Sequence, residues 1–316
     1  MKQTETITVA SMAFSIVIGA MAESVTTGEF DVTGQVSVVC DTKPARVYLI
    51  SKTEPTCFWQ MDTNTLEIAS GDIVHVTGYT KPLANKTIDH YATRTEHLGH
   101  GEFPAAPEVA GSQVRSGELF CNCVRVRGVL VSVLRDDLND VWNLVTLRTN
   151  SGKTFAAVPE SAYPLDEIAD LKDAEVVLSG FVTQFGIWRR FLGYELMLFG
   201  RAGIKVVKKP PADVFTAPKL TGLASLHRQL VAGTVIGRGR NRIFLNTKDG
   251  EFLPVSPVAG SKFPKIGNRI TAVGFAEPDQ RNLQLVEAVI RVDATEPTPF
   301  AAPIDIDPET LYTDSS

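Results

Sequence analysis

The sequence predicts an all-β protein: three consecutive five-stranded barrels with few short helices. Three observations carry this expectation. A nine-residue phrase recurs as GDIVHVTGY at 71–79, DAEVVLSGF at 173–181 and GNRITAVGF at 267–275, each ending on glycine and then an aromatic. Upstream of each copy stands an alternating segment with an internal glycine: FDVTGQVSVV around Gly34, VRVRGVLVSVL around Gly128 and QLVAGTVIGR around Gly233. Alternation with period two marks strands that bury one face, and helical periodicity is scarce along the chain.

The elements follow in order. Within each unit the two marker glycines are separated by 44 residues (Gly34 to Gly78), 52 (Gly128 to Gly180) and 41 (Gly233 to Gly274). Between them lie RVYLIS in the first unit, WNLVTLRT and TFAAV in the second, and RIFLNT and EFLPV in the third. The second and third units join these strands through NSGK and KDGE, hairpin signals with glycine where positive φ is needed. One more strand follows each closing glycine, clearest in YELMLFG and LQLVEAVIRV. Glycine inside a strand weakens it unless the strand must coil sharply, as in a small closed barrel. Five strands of this length with that device make an OB-like unit. The best helical stretch, YPLDEIADLKD at 163–173, sits where such a barrel carries a helix between its third and fourth strands.

The units are expected at 23–104, 115–207 and 222–294, the first being the most divergent. The Pro/Ala-rich stretches GEFPAAPEVAGSQ and KKPPADVFTAPKL separate them, and 295–316 reads as a Pro-rich acidic tail. Residues 9–22 form an uncharged apolar run closing on Ala20-Met21-Ala22, the small-x-small pattern of a cleaved export signal, so 1–22 is expected to be a signal peptide. The alternatives are a buried first helix or an uncleaved anchor. On this reading the mature chain is periplasmic or secreted, with no membrane span. Of 316 residues 44% are hydrophobic and 21% charged, the balance of a globular chain. A net charge of −5 argues against a whole-molecule nucleic-acid binder.

Four cysteines, Cys40, Cys57, Cys121 and Cys123, suit an oxidising compartment and allow three pairings, with buried thiols as the alternative. Cys-Asn-Cys has neither the spacing nor the second pair of a metal site. DHYATRTEHLGHGE gathers His90, His97 and His100 near Asp89 and Glu96, but its lack of a regular period reads as a solvated loop, and no metal is assigned. No G-x-S-x-G, P-loop, H-E-x-x-H or dinucleotide fingerprint occurs, so no catalytic residue and no cofactor is expected.

Two stretches stand out as ligand-binding candidates. Trp188, Arg189, Arg190 and Phe191 sit together between two strands, where they would stack on bases or sugars, or simply cap the barrel. Arg238, Arg240 and Arg242 alternate and Phe244 continues the row, which a strand would project from one face. Residues 225–293 carry ten Lys/Arg against six Asp/Glu, so this unit is locally basic. Such a row would grip phosphates or an acidic glycan, or serve as a solvent-facing hairpin.

The stretch HRQLVAGTVIGRGRNRIFLNTKDGEFLPVSP with IGNRITAVGFAEPDQRNLQLVEAVIRV resembles the OB-like modules in the extracytoplasmic portion of bacterial membrane-bound sensor histidine kinases. His227-Arg228, Gly233, the Lys248-Asp249-Gly250 turn, Gly267 and Gly274-Phe275 carry the likeness. VRVRGVLVSV and RRFLGYELML resemble the middle module, and the likeness covers about 115–300. The membrane helix, phosphoacceptor helix pair and ATP-binding domain of those kinases are not readable in this sequence, so kinase activity does not follow. The resemblance implies a sensor-like part acting with a separate partner. The expected function is therefore a non-catalytic, exported binding or interaction protein, a sensory role included, whose partner is a protein or a small or polymeric ligand. The alternative is a single-stranded nucleic-acid binder using the basic face of the third unit. A carbohydrate-directed enzyme would instead need two acids converging in one cleft.

Overall fold

The computed structural model describes residues 28–294, apart from 41–42, 52–55, 62–66, 83–87, 104, 121, 137–140, 188–189 and 280–281, and leaves out the side chains of 56, 88, 185–187, 190–192, 282 and 294. The expected signal peptide and acidic tail lie outside the described residues.

The first barrel is built from β1 (Glu29–Cys40), β2 (Ala45–Ile50), β3 (Thr56–Gln60), β4 (Asp72–Pro82) and β5 (Ile88–His100). It closes in the order β1-β2-β3-β5-β4, with β3 and β5 parallel and every other pairing antiparallel. The middle unit comprises α1 (Gly111–Ser116), β6 (Cys123–Arg135), β7 (Trp142–Thr149), β8 (Gly152–Pro159), α2 (Leu165–Ala169), β9 (Glu175–Ile187), β10 (Arg190–Leu198) and β11 (Ile204–Lys208). The third contains β12 (Gln229–Arg238), β13 (Ile243–Thr247), β14 (Phe252–Pro257), β15 (Arg269–Asp279) and β16 (Asn282–Ala294), closed in the same order as the first. In the middle barrel β10 pairs with Gly180–Ile187 and β11 with Glu175–Leu178 of the same strand β9, on either side of a 3-10 turn at 200–203. The two are halves of one fifth strand, which β5 and β16 make unbroken.

The recurring glycines explain the closure. Each first strand pairs with the fourth strand along its first half and with the second strand along its second half. In all three barrels the register slips shortly after the marker glycine, between Val36 and Val38, Leu130 and Ser132, and Val235 and Gly237. These bulges bend the strand from one neighbour to the other. At the glycine itself the second strand's carbonyl comes so near that an added Cβ would lie 2.8 Å from Ile50 O in the first barrel and 2.6 Å from Asn246 O in the third, and closer still to Arg148 O. The closing glycines face the fifth strand in the same way: a Cβ on Gly274 would meet Val286 O at 2.7 Å, with Tyr91 O and Met197 O nearer to Gly78 and Gly180.

Inside the barrels the alternating residues form three separate apolar cores, around Phe58 and Leu49, around Leu130 and Leu178, and around Leu245 and Ile270. The expected helix within 163–173 is α2, whose Ile168 is fully buried. Two expectations need correction. The composition of 101–113 reads as plain linker, yet Gly111–Ser116 is helical and Val114 plugs the middle core. The histidine-rich segment is not a loop but strand β5. Register slips at Ile73/Val74 and Thr77/Gly78 break the alternation that would have revealed it.

The barrels pack on one another. Val38, Cys40 and Tyr48 of the first meet Trp142, Ala157, Phe181, Met197 and Phe199 of the second. The Tyr48 ring lies edge-on to Trp142 with centroids 6.0 Å apart. Between the second and third, Val129 and Val131 meet Phe275, whose ring is approached by the guanidinium groups of Arg148 and Arg228 at 5.4 and 5.3 Å. Glu277 accepts from Arg148 at 3.1 Å and Lys153 at 2.7 Å, while Lys172 reaches Glu287 at 2.9 Å. Buried Asp173 accepts from His227 Nδ1 at 2.9 Å and from the Arg228 N–H at 3.2 Å.

Of the pairings the four cysteines allow, none forms among the described ones: Cys40, Cys57 and Cys123 are free thiols. Cys40 lies on β1 and Cys57 on β3, with β2 between them, a separation of about 9–10 Å across the sheet. A disulfide bridges Cα atoms about 4.4–6.8 Å apart. Burial pushes the Cys40 and Cys123 thiols up to about 12 and about 11. Cys121 lies outside the described residues.

The close approach at the marker glycines can be tested directly. Gly180→Ala drives a methyl into the Met197 carbonyl and should lower unfolding free energy by about 2 kcal/mol or more, read as an earlier denaturant midpoint with unchanged slope. Glu195, on β10, is buried, and its carboxyl is pushed from 4.5 up to about 8 by desolvation, helped by the charge of Asp136. Between those values the unfolded chain binds fewer protons than the folded one, so stability falls as pH rises through that window. Glu195→Gln should remove this slope and raise Tm at pH 8 more than at pH 4.5, measured by thermal melts across pH.

Candidate ligand face of the third barrel

In each barrel the second and third strands turn one face inward and one outward. Part of the outward faces of the first two barrels meets, where Tyr48 on β2 clusters with Trp142 on β7 and Ala157 on β8, while Leu144 and Phe155 on the same side of β7 and β8 stay exposed. In the third barrel Ile243, Leu245, Leu253 and Val255 point into the core. Phe244, Asn246, Phe252 and Pro254 are therefore left on the outer side. Phe244 stands opposite Pro254 and Asn246 opposite Phe252, so the two phenylalanines are diagonal neighbours. Their rings stack with centroids 5.2 Å apart and planes 18° from parallel, and Phe252 is 52% exposed. Among the described residues neither neighbouring barrel covers this pair.

The three arginines do not form the strand row the alternation suggested: Arg238 stands opposite Ile243, whose side chain enters the core, and so on the other side from Phe244. Arg238 ends β12 and Arg242 precedes β13, with Arg240 in the turn between. The Gly239 N–H donates to Arg242 O at 2.8 Å, closing a reversal that fans the side chains apart. The Arg238 guanidinium lies over the Phe263 ring at 5.3 Å. Arg242 donates to Asp279 Oδ2 at 3.2 Å, which offsets its charge. Arg240 is exposed. The site thus combines a displayed aromatic stack with the exposed Arg240 of the adjoining turn, whose Gly239 lies against the Phe244 ring, and can take a planar or apolar group beside an anionic one.

Trp188 and Arg189 lie outside the described residues. Arg190 and Phe191 open β10, and their side chains are likewise not described. Sequence reasoning missed Phe252, Phe263 and Asp279. Phe252 was within reach: centring the hairpin on Lys248–Gly250 pairs Asn246 with Phe252 and places its ring beside Phe244. Phe263 and Asp279 come from a loop and a strand end far along the chain, and no local pattern points to them.

No family model matches the chain, and no curated protein matches it. Among solved structures it is similar to an asparaginyl-tRNA synthetase from Pyrococcus horikoshii complexed with asparaginyl-adenylate, at 19% identity and TM-score 0.26, over 32% of this chain and 22% of the synthetase. The matched part thus spans about a fifth of that enzyme. The chain is also similar to the tetrameric p202 HIN2, at 17% identity and TM-score 0.22, covering 53% of this chain and 91% of that one. A third similarity is to the Ifi202 HINa domain in complex with 20-bp dsDNA, at 8% identity and TM-score 0.29, covering 58% and 98%. At these values the likenesses carry no argument about what this chain binds. None of the three is a sensor kinase, and the resemblance drawn from the sequence holds as far as a repeat of OB-like barrels.

If the Phe252 ring is displayed rather than structural, Phe252→Ala should cost about 1 kcal/mol or less of stability. Leu245→Ala, in the core one strand away, should cost about 2–5 kcal/mol. Denaturant titration of the two variants checks the contrast.

Proposed function

We propose that this chain is a non-catalytic binding protein in which three packed OB-like barrels present the outer face of the third as the working surface. The observation that carries the proposal is the Phe244–Phe252 stack, displayed on the outer face of the third barrel, with Phe252 the more exposed of the two rings. With it goes the expectation, resting on the apolar run at 9–22, that the protein works outside the cytoplasm, in a sensory or interaction role beside a separate partner.

A second reading is favoured by one specific feature. A stacked aromatic pair with the exposed Arg240 in the adjoining turn suits the bases and phosphates of single-stranded nucleic acid, where each stacked base is worth about 1–3 kcal/mol. The full chain, titrated with a labelled single-stranded oligonucleotide at low and at physiological salt, separates the two. Tight binding that weakens steeply with salt, and falls about tenfold or more in Arg240→Glu and in Phe252→Ala, establishes nucleic acid as the ligand. Binding retained in both variants removes this face from consideration. No binding at low salt sinks the nucleic-acid reading. An acidic-glycan and peptide array, probed with wild type and Phe252→Ala, then tests the first, which fails if no ligand distinguishes the two proteins.

A further inference from the structure

The outer face of the first barrel carries a second aromatic array, separate from the face described above. Arg46 on β2 stands opposite Trp59 on β3, Trp59 opposite Tyr91 on β5, and Tyr91 opposite Tyr79 on β4. The four residues therefore form one line across four strands. Val47, Phe58 and Ala92, their neighbours in sequence, fill the core, so alternation turns the line outward. It begins at the junction with the middle barrel. There the Arg46 guanidinium lies 5.1 Å from the Trp59 ring centroid and 5.3 Å from that of buried Tyr48. It ends in solvent at Tyr79, which is 36% exposed. The Tyr79 and Tyr91 rings have centroids 5.1 Å apart and planes 11° from parallel. Rings in contact at that centroid distance are slipped past each other, so part of each face stays uncovered.

The polar groups around the tyrosines decide what the array can hold. Glu29 stands opposite Tyr79, and the next outward pair along β4 and β5 is Lys81 with Asp89. The Tyr91 hydroxyl donates to Asp89 Oδ2 at 3.5 Å. In the other direction the next outward pair is Thr77 with the exposed Arg94. Two carboxylates and two cations thus alternate around the rings, a balance that gives a polyanion no net attraction. Such a surface suits a neutral ring whose apolar face lies on an aromatic and whose hydroxyls both donate and accept. That is the chemistry of a pyranose. From Tyr79 to Trp59 the line crosses two strand spacings, about 10 Å, which is longer than one sugar ring.

We propose that Tyr79, Tyr91 and Trp59 form a binding site for a neutral oligosaccharide. One sugar stacks at the Tyr79 end, its hydroxyls meet Glu29 and Asp89, and the chain runs along the line toward Trp59.

The test titrates the full chain by calorimetry with the neutral hexasaccharides maltohexaose, cellohexaose and chitohexaose, and with a short oligo(dT). Wild type should bind at least one of the sugars saturably, with a Kd of about 1 mM or tighter. Tyr79→Ala removes a ring at the exposed end of the line and should fold, while sugar affinity falls at least about fivefold. Tyr79→Phe keeps the ring and should retain most of the affinity. Phe252→Ala, on the third barrel, should bind the sugar as wild type does, which separates this site from the face proposed above. Saturating sugar should also slow chemical nitration of Tyr79 in the wild-type chain, a reading that depends on no variant. The absence of saturable binding to any of these sugars overturns the proposal. So does binding that Tyr79→Ala leaves intact, or a nitration rate that sugar does not change. Oligo(dT) binding that is lost in Tyr79→Ala, without sugar binding, overturns it in favour of a stacking surface for nucleic acid.

Discussion

The constraint on which the rest of this structure depends is that one strand in each barrel must serve two neighbours. The first strand is held by the fourth and then, past a bulge, by the second. This works because the backbone of each neighbour presses onto a position without a side chain. Gly34, Gly128 and Gly233 receive the carbonyl of the second strand, and Gly78, Gly180 and Gly274 that of the fifth. The bulges at the same offset in all three barrels supply the bend. A closed barrel has no free edge, so what it offers to other molecules is its outer faces and its loops.

How those faces are shared out follows from packing. The first barrel gives up part of its outer surface to a cluster with Trp142, Phe181 and Met197, and the second loses the corresponding part of its own. The third docks through Phe275 and Val286, on its fourth and fifth strands, and so leaves its second and third strands outside the junction. The geometry of one interface thus decides which surface of the chain stays open.

Arginine plays two distinct parts. Arg46, Arg148 and Arg228 lie at the barrel junctions with their planar groups against aromatic rings; Arg148 and Arg228 have Glu277 and Asp173 close by, and Arg46 donates to the Cys57 sulfur with Asp89 nearby. Weak hydration of the guanidinium makes such burial less costly than it would be for lysine. Burial nevertheless lowers the proton affinity of Arg148 and Arg228. Arg238 and Arg240 stand at the solvent margin of the third barrel, with charge available to a ligand. Composition counts these side chains alike, so the local excess of positive charge in residues 225–293 overstates what the surface presents.

By itself the sequence determined the strand content, the threefold repeat and the closed-barrel architecture. Each of these follows from short-range alternation and from glycines whose role is set by backbone contact with the adjacent strand. The α2 helix was legible for the same reason. Strand β5 was not, because two bulges shift the alternation that would mark it. Nor was α1, since its single buried anchor, Val114, is too little to show a period. Arg238, Arg240, Arg242 and Phe244 were readable as a cluster, but their layout was not, because a turn and the distant Asp279 and Phe263 set where each guanidinium lies. The line from Arg46 through Trp59 and Tyr91 to Tyr79 likewise exists only once β2, β3, β5 and β4 are in register. Tertiary structure alone decided which faces are buried and which remain open, because that depends on surfaces meeting across sequence separations that no local pattern encodes.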